Sequence, residues 1–135
     1  MANYKYNLLK GVPFTMATVS SPTFTFSGKF IIDTGAYMTV IRTSRIDSIG
    51  YSARDMTKPF KTESVIGKEF GYCLKVGKFE VFGKIFEDFE VAALDLPDRY
   101  NIDGLIGMNL LNQFNWCMHP QKSVISIHHD PFIGG

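Results

Sequence analysis

Apolar stretches alternate with turn-forming residues over the first part of the chain. Runs rich in β-branched and aromatic residues predict strands over residues 4–9, 13–19 and 23–32, and the breaks between these strands contain serine, proline and glycine. A shorter apolar run predicts another strand over residues 38–41. The chain therefore begins as a series of short strands joined by tight turns.

A short helix and a hairpin follow in the middle of the sequence. Residues 43–49 have helical spacing and are followed by Gly50, so we expect the helix to end there. The segment 56–68 is polar and is interrupted by Pro59 and Gly67, and the strand pattern then resumes at residues 69–76. The change from a polar to an apolar pattern around these breaks predicts a hairpin.

The C-terminal half continues the β pattern with one helical exception. Strands are predicted over residues 79–82 and 85–94, with Gly83 in the turn between them. Residues 102–114 have helical spacing in their second half, and residues 123–128 alternate as a strand does. Many short strands and one clear C-terminal helix predict an all-β, barrel-like fold.

Composition narrows the classes of protein to consider. The chain has 135 residues, which suits a single domain over residues 1–135, and its 45% hydrophobic content is typical of a globular protein. Its net charge is +1 and its basic residues are scattered, which argues against a barrel that binds nucleic acid. No run of eighteen apolar residues occurs, so we expect no membrane partner and a cytoplasmic location, either as a separate protein or as a domain of a larger one.

The two cysteines and three histidines suggest no cofactor or metal. Cys73 and Cys117 are too few for a disulfide framework, and we expect free thiols. His119, His128 and the adjacent His129 and Asp130, with Cys117 nearby, match no zinc-binding spacing. Neither cysteine has a cationic neighbour at a spacing that marks an activated thiol, so a cysteine peptidase is disfavoured.

One acidic turn is the main candidate for chemistry. Asp33-Thr34-Gly35 follows the apolar run Phe30-Ile31-Ile32 and leads into a second apolar run that ends at Ile41. Apolar flanks hold the carboxylate near the core, where an unpaired charge is costly and a shared proton is favourable. The alternative is an aspartate that only caps its own turn, because this tripeptide suits turns in general.

A second segment makes the catalytic interpretation stronger. About seventy residues after the turn, Leu105-Ile106-Gly107 leads into the helical pattern. Together with the Asp-Thr-Gly-Ala turn at residues 33–36, this segment resembles the retropepsin-like aspartic proteases, the single-domain relatives of pepsin. The resemblance covers roughly residues 12–128. It implies an acid-protease barrel, with the apolar strand packed beneath the catalytic turn.

The resemblance also implies a mechanism and an oligomeric state. In this family, two aspartates share one proton and activate a water molecule that attacks the peptide bond. The chain contains a single Asp-Thr-Gly, because Asp103-Gly104 lacks the threonine. A homodimer with one Asp33 from each protomer is therefore implied, with a peptide or protein as substrate and no cofactor or metal.

The same resemblance suggests roles for the neighbouring residues. Thr34 has a hydroxyl that can link two such turns, and Gly35 allows close approach and donates an N–H toward the carboxylate. The substrate-binding candidates are Ala36 and Tyr37 beside the turn, and Val65, Ile66 and Gly67 in a flap above it. Residues 123–129 are a candidate strand for pairing between protomers.

Two departures keep alternatives open. Viral members usually have another aspartate where this chain has Tyr37. The segment 50–62 is also longer and more polar than a minimal viral protease needs. A non-viral member of the family therefore fits better. The chain could also be a protease-like dimerisation or peptide-binding module that has lost hydrolysis, through a closed flap or obstruction by Tyr37. A fold by itself does not separate these functions.

Overall fold

A computed structural model describes residues 1–64, 67–98 and 101–128. Within these ranges the chain forms eleven strands, two α-helices and one 3₁₀ turn at Ala53–Asp55. The helices are α1 (Thr43–Ser48) and α2 (Met108–Leu111). The strands are β1 (Ala2–Lys5), β2 (Asn7–Leu9), β3 (Val12–Ser20), β4 (Thr25–Ile32), β5 (Val40–Arg42), β6 (Lys58–Ser64), β7 (Gly67–Val81), β8 (Lys84–Leu94), β9 (Gly104–Ile106), β10 (Asn115–His119) and β11 (Val124–His128).

Eight strands form one large sheet in the order β2-β3-β4-β9-β5-β8-β7-β6. An additional antiparallel pairing joins β3 to β7, with Val19 opposite Phe79, so the sheet curls back on itself. Two pairs inside it are parallel, β4 with β9 and β5 with β8. This closure confirms the prediction of an all-β, barrel-like fold. Among the described residues, no helix is long and apolar enough to cross a membrane.

The core fills the space enclosed by the large sheet and α2. Phe30 and Phe79 are fully buried, and their rings meet edge to face at a centroid distance of 5.3 Å. Ile106, Leu110 and Leu111 are also fully buried and bring β9 and α2 into the same cluster. Apolar side chains at alternate strand positions hold the barrel together and fix the base on which the Asp33 turn rests.

The smaller sheet pairs the two ends of the chain in the order β1-β11-β10. Residues 4–9 form two strands instead of the single one expected, because the chain passes at the buried Tyr6 from the small sheet to the large one. β11 is the central strand, so both of its edges are already paired within one chain. Pairing of two protomers through residues 123–129 is not tested by a single chain and stays a prediction, and His129 lies outside the described residues.

Other element boundaries differ from the sequence-based expectations. The strands predicted over residues 69–76 and 79–82 are one long strand, β7, whose ladder with β8 continues on both sides of Gly77. β6 pairs antiparallel with β7 and forms the hairpin that the polar segment 56–68 predicts, whereas β10 was not predicted. For β7 and β10, pairing with a neighbouring strand outweighs the local composition.

Candidate active site

The Asp33 turn begins where β4 ends. The backbone N–H of Asp33 donates to the carbonyl oxygen of Ile106 at 2.9 Å, which anchors the turn to β9. The N–H of Ala36 donates back to the Asp33 carbonyl oxygen at 3.2 Å, and the N–H of Gly35 donates to Asp33 Oδ1 at 2.9 Å. Gly35 therefore makes the contact with the carboxylate that the sequence analysis expected of it.

The second segment supports the turn from below, as expected. β9 runs parallel to β4, with Ile106 opposite Ile32. Gly107 follows at a point of close backbone approach, where an added Cβ would lie 2.4 Å from the carbonyl oxygen of Met38. The next N–H, of Met108, donates to the carbonyl oxygen of Ala36 at 2.7 Å. A glycine is required here because any side chain would push the two segments apart.

A buried polar network, which the sequence analysis missed, joins these two segments. Asn109 Oδ1 accepts hydrogen bonds from the backbone N–H and from the hydroxyl of Thr39, and the Thr39 hydroxyl oxygen accepts one from the N–H of Gly107. Asn109 Nδ2 donates to the carbonyl oxygen of Glu90 on β8. The only signal available in the sequence was Thr39 itself, a polar residue within an apolar run.

The second Asp-Gly has a structural role instead of a chemical one. Asp103 Oδ2 accepts from the backbone N–H of Lys29 at 2.9 Å, and Asp103 Oδ1 accepts from Arg45 Nε at 2.8 Å. Its side chain is largely buried, beside Gly28. Both Asp103 oxygens are engaged, and of these two aspartates Asp33 is the one that lines the cavity.

A cavity of about 330 Å³ opens beside the turn. Its walls come from the turn, from the β6–β7 hairpin and from the strands beneath. Tyr37 is 63% exposed, and its ring centroid lies 5.7 Å from that of Phe60 on β6. The lining residues are Asp33, Gly35, Ala36, Tyr37, Met38, Val40, Phe60, Thr62, Glu69, Leu94, Leu96 and Leu105.

The predicted site residues thus fall into three groups. Asp33, Gly35, Ala36 and Tyr37 line the cavity together, and Thr34 is exposed next to them. Gly67 is the first residue of β7 and pairs with Ser64 near the tip of the hairpin. Val65 and Ile66 lie outside the described residues, so their predicted role in a flap stays a prediction.

No metal-binding cluster of three or more histidine, cysteine or acidic side chains occurs in the described part of the chain. His119 instead lies in the small sheet, where Nε2 is 2.8 Å from the hydroxyl oxygen of Ser126. Cys73 is buried and Cys117 is exposed, and both are free thiols. His129 and Asp130, which were considered as ligands, lie outside the described residues.

The arrangement can supply a carboxylate to a bound peptide. Asp33 is half-buried at the cavity wall, and Oδ1 is held by Gly35. Oδ2 has no hydrogen-bond partner among the described residues. Proton transfer between two groups needs a second acid within hydrogen-bond reach, and one chain contributes one such turn.

Comparisons with known proteins agree with this geometry. Residues 15–110 match the family described as aspartyl protease. Among solved structures, the chain is similar to a retropepsin-like aspartic protease from Rickettsia conorii, with a TM-score of 0.66 and 18% identity over 93% of this chain and 90% of that one. No curated protein sequence matches the chain.

Two further structures share the fold. The EIAV protease, solved with the inhibitor HBY-793, has a TM-score of 0.61 and 19% identity over 82% of this chain and 93% of its own. The retroviral protease-like domain of Ddi1 from Leishmania major has a TM-score of 0.59 and 12% identity over 88% of this chain and 90% of its own. The expected retropepsin-like fold is therefore confirmed.

Proposed function

The chain belongs to the aspartyl protease family, and on that premise we propose that it is an endopeptidase that acts as a homodimer, with Asp33 of both copies in one active site. The observation that carries the proposal is the position of Asp33 at the wall of the cavity of about 330 Å³, with Oδ1 held by the Gly35 N–H. A single carboxylate cannot act as acid and base at once, so a second copy must supply the other.

The proposed reaction is a direct attack by water. One Asp33 is ionised and accepts a proton from the bound water, while the protonated Asp33 of the second copy donates its proton to the scissile carbonyl oxygen. The water oxygen bonds to the carbonyl carbon and gives a tetrahedral diol. The carboxyl group that took the water proton then donates a proton to the amide nitrogen, the other carboxylate accepts a proton from a diol hydroxyl, and the C–N bond breaks without a covalent enzyme intermediate.

The substrate is proposed to bind as an extended strand. The β6–β7 hairpin contributes Phe60, Thr62 and Glu69 to the same cavity as Asp33, which supports a covering role for it. Ala36 lies at the cavity wall; its N–H donates to Asp33, but its carbonyl oxygen, which accepts from the Met108 N–H, has a second lone pair that an extended peptide can use in β-addition. The apolar residues beneath would receive the substrate side chains.

The alternative is a peptide-binding module without hydrolysis. Obstruction of the cavity by Tyr37 is one route to it, but the Tyr37 ring packs against Phe60 as part of the wall, and a cavity of about 330 Å³ lies beside Asp33. Asp33 is also retained, although a module without activity does not need an acid at this place. Both observations favour the enzyme.

The deciding experiment compares the wild type with Asp33→Asn on a broad peptide library from acidic to neutral pH. We expect cleavage by the wild type and a loss of at least about 10²-fold in kcat for the variant, because general acid and base catalysis are both removed. Asp47→Asn, at an exposed aspartate on α1, is the matched control and should retain activity. A wild type that binds peptides but cleaves none would establish the module instead.

A further inference from the structure

The cavity at Asp33 combines an apolar floor with two carboxylates. Val40, Leu94, Leu96 and Leu105 supply aliphatic surface from β5, β8, β9 and the loop after β8. The charged residues among its lining are Asp33 and Glu69, both acidic, and no lysine or arginine lines it within the described residues. A side chain that enters this cavity therefore meets aliphatic surface first and negative charge beside it.

Glu69 reaches the cavity from the hairpin and is placed there by strand alternation. It lies on β7 directly opposite Thr62 on β6, and both residues line the cavity. The next pair, Lys61 opposite Phe70, points to the other face of the hairpin, where Lys61 Nζ lies 6.0 Å from the Phe70 ring centroid. The register therefore places the Glu69 side chain on the cavity face of the hairpin and the Lys61 side chain on the opposite face.

Glu69 is half-buried and makes no hydrogen bond or ion pair with the residues that the structure describes. Other acidic side chains of the barrel do have partners: Glu90 is paired with Lys58, and Asp103 with Arg45. A partly desolvated carboxylate gains from a cationic partner more than an exposed one does. The structure therefore holds an acceptor for a charged donor at the wall of the substrate cavity.

We propose that this cavity selects substrates that place a lysine or arginine side chain in it, with the aliphatic stem on the leucine-rich floor and the cationic end at Glu69. The inference rests on the proposed function and adds the substrate class. Lysine and arginine bury their stems along apolar surface while the charged end stays in a polar environment, which fits this lining. An acidic substrate side chain would meet two like charges and be excluded.

The test uses peptides that differ only at one position beside the scissile bond, with lysine, norleucine or glutamate there. Norleucine keeps the aliphatic stem and lacks the charge. For the wild type we expect kcat/KM to be about tenfold higher for the lysine peptide than for the norleucine peptide, because one charge-assisted hydrogen bond contributes a factor of about this size. The glutamate peptide should have the lowest kcat/KM. Glu69→Gln should bring the lysine-to-norleucine ratio close to one.

Two further variants make the test specific to Glu69. Glu80→Gln removes an exposed carboxylate elsewhere on β7 and should keep the lysine preference. Glu69→Lys should reverse the order of the lysine and glutamate peptides. If the wild type cleaves peptides with no lysine preference, or if Glu69→Gln keeps it, the inference fails while the proposed function stands.

A binding measurement decides the case in which no peptide is cleaved. The Asp33→Asn chain is titrated calorimetrically with the lysine and norleucine peptides, with and without Glu69→Gln. Binding of the lysine peptide about tenfold tighter, lost with Glu69→Gln, supports the inference even if hydrolysis is absent. Equal affinities overturn it.

Discussion

Thr39 and Asn109, seventy residues apart in sequence, are joined by two hydrogen bonds to one oxygen atom. Asn109 Oδ1 accepts from the Thr39 backbone N–H at 2.7 Å and from the Thr39 hydroxyl at 2.8 Å. Thr39 is fully buried, and its hydroxyl oxygen also accepts from the Gly107 N–H at 3.1 Å. The Thr39 hydroxyl therefore helps to fix the Asp33 turn relative to α2, together with the bond from the Met108 N–H to the Ala36 carbonyl oxygen.

The first prediction concerns this hydroxyl. Thr39→Val keeps the shape of the side chain but leaves the Gly107 N–H without its acceptor. We expect the free energy of unfolding to fall by about 1–3 kcal/mol, the cost of an unsatisfied buried donor. Chemical denaturation measures it. Thr39→Ser, which restores the hydroxyl, should be less destabilised than Thr39→Val, and equal losses for the two would show that the methyl group matters instead.

The second prediction concerns Thr34 and the proposed dimer. Its side chain is exposed beside Asp33 in one chain, and the proposed dimer would bring it against the equivalent turn of the second copy. Thr34→Ala should raise the dissociation constant of the homodimer about tenfold, because a symmetric dimer loses the hydrogen bonds of both copies. Analytical ultracentrifugation over a range of concentrations measures the shift.

Two controls accompany the Thr34 experiment. Thr34→Ser keeps the hydroxyl and should dimerise like the wild type. Adding an excess of Asp33→Asn chain to the wild type should lower its activity, because mixed dimers hold only one carboxylate of the required pair. A chain that stays monomeric at every concentration and still cleaves peptides would contradict the proposed dimer.

The third prediction concerns the two thiols. Burial raises the pKa of the Cys73 thiol above its ordinary value of 9.0; nearby Glu90 also raises it, and Lys58 opposes the shift. Cys117 is exposed on β10. A thiol reagent should therefore modify Cys117 rapidly and Cys73 only on unfolding. Cys117→Ser should abolish the rapid phase, and rapid labelling of both cysteines in the folded protein would contradict the buried position of Cys73.

The same thiol makes stability depend on alkaline pH. Because the folded thiol keeps its proton to a higher pH than the unfolded one, the unfolded state binds fewer protons above pH 9.0. The free energy of unfolding should decrease as pH rises through this range, and the stabilisation is fully present below it. Cys73→Ala should show a shallower decrease when denaturation is followed as a function of pH.

The sequence by itself determined the elements whose signals are local. The turn at residues 33–36 is marked by its own tripeptide and its apolar flanks. Gly107 ends an apolar run, and its lack of a side chain allows close backbone contact there. These features identified the fold and the candidate carboxylate. These features can be predicted from sequence because turn geometry and the burial pattern of a strand depend on a few neighbouring residues.

Tertiary structure alone decided which distant groups meet. The bond between Thr39 and Asn109 depends on how α2 packs under the turn, and the engagement of Asp103 with Arg45 depends on α1. Glu69 faces the cavity because of the register between β6 and β7, and a shift of one residue would present Phe70 instead. Pairing and register arise from the summed packing of the whole barrel, which no single stretch of sequence contains.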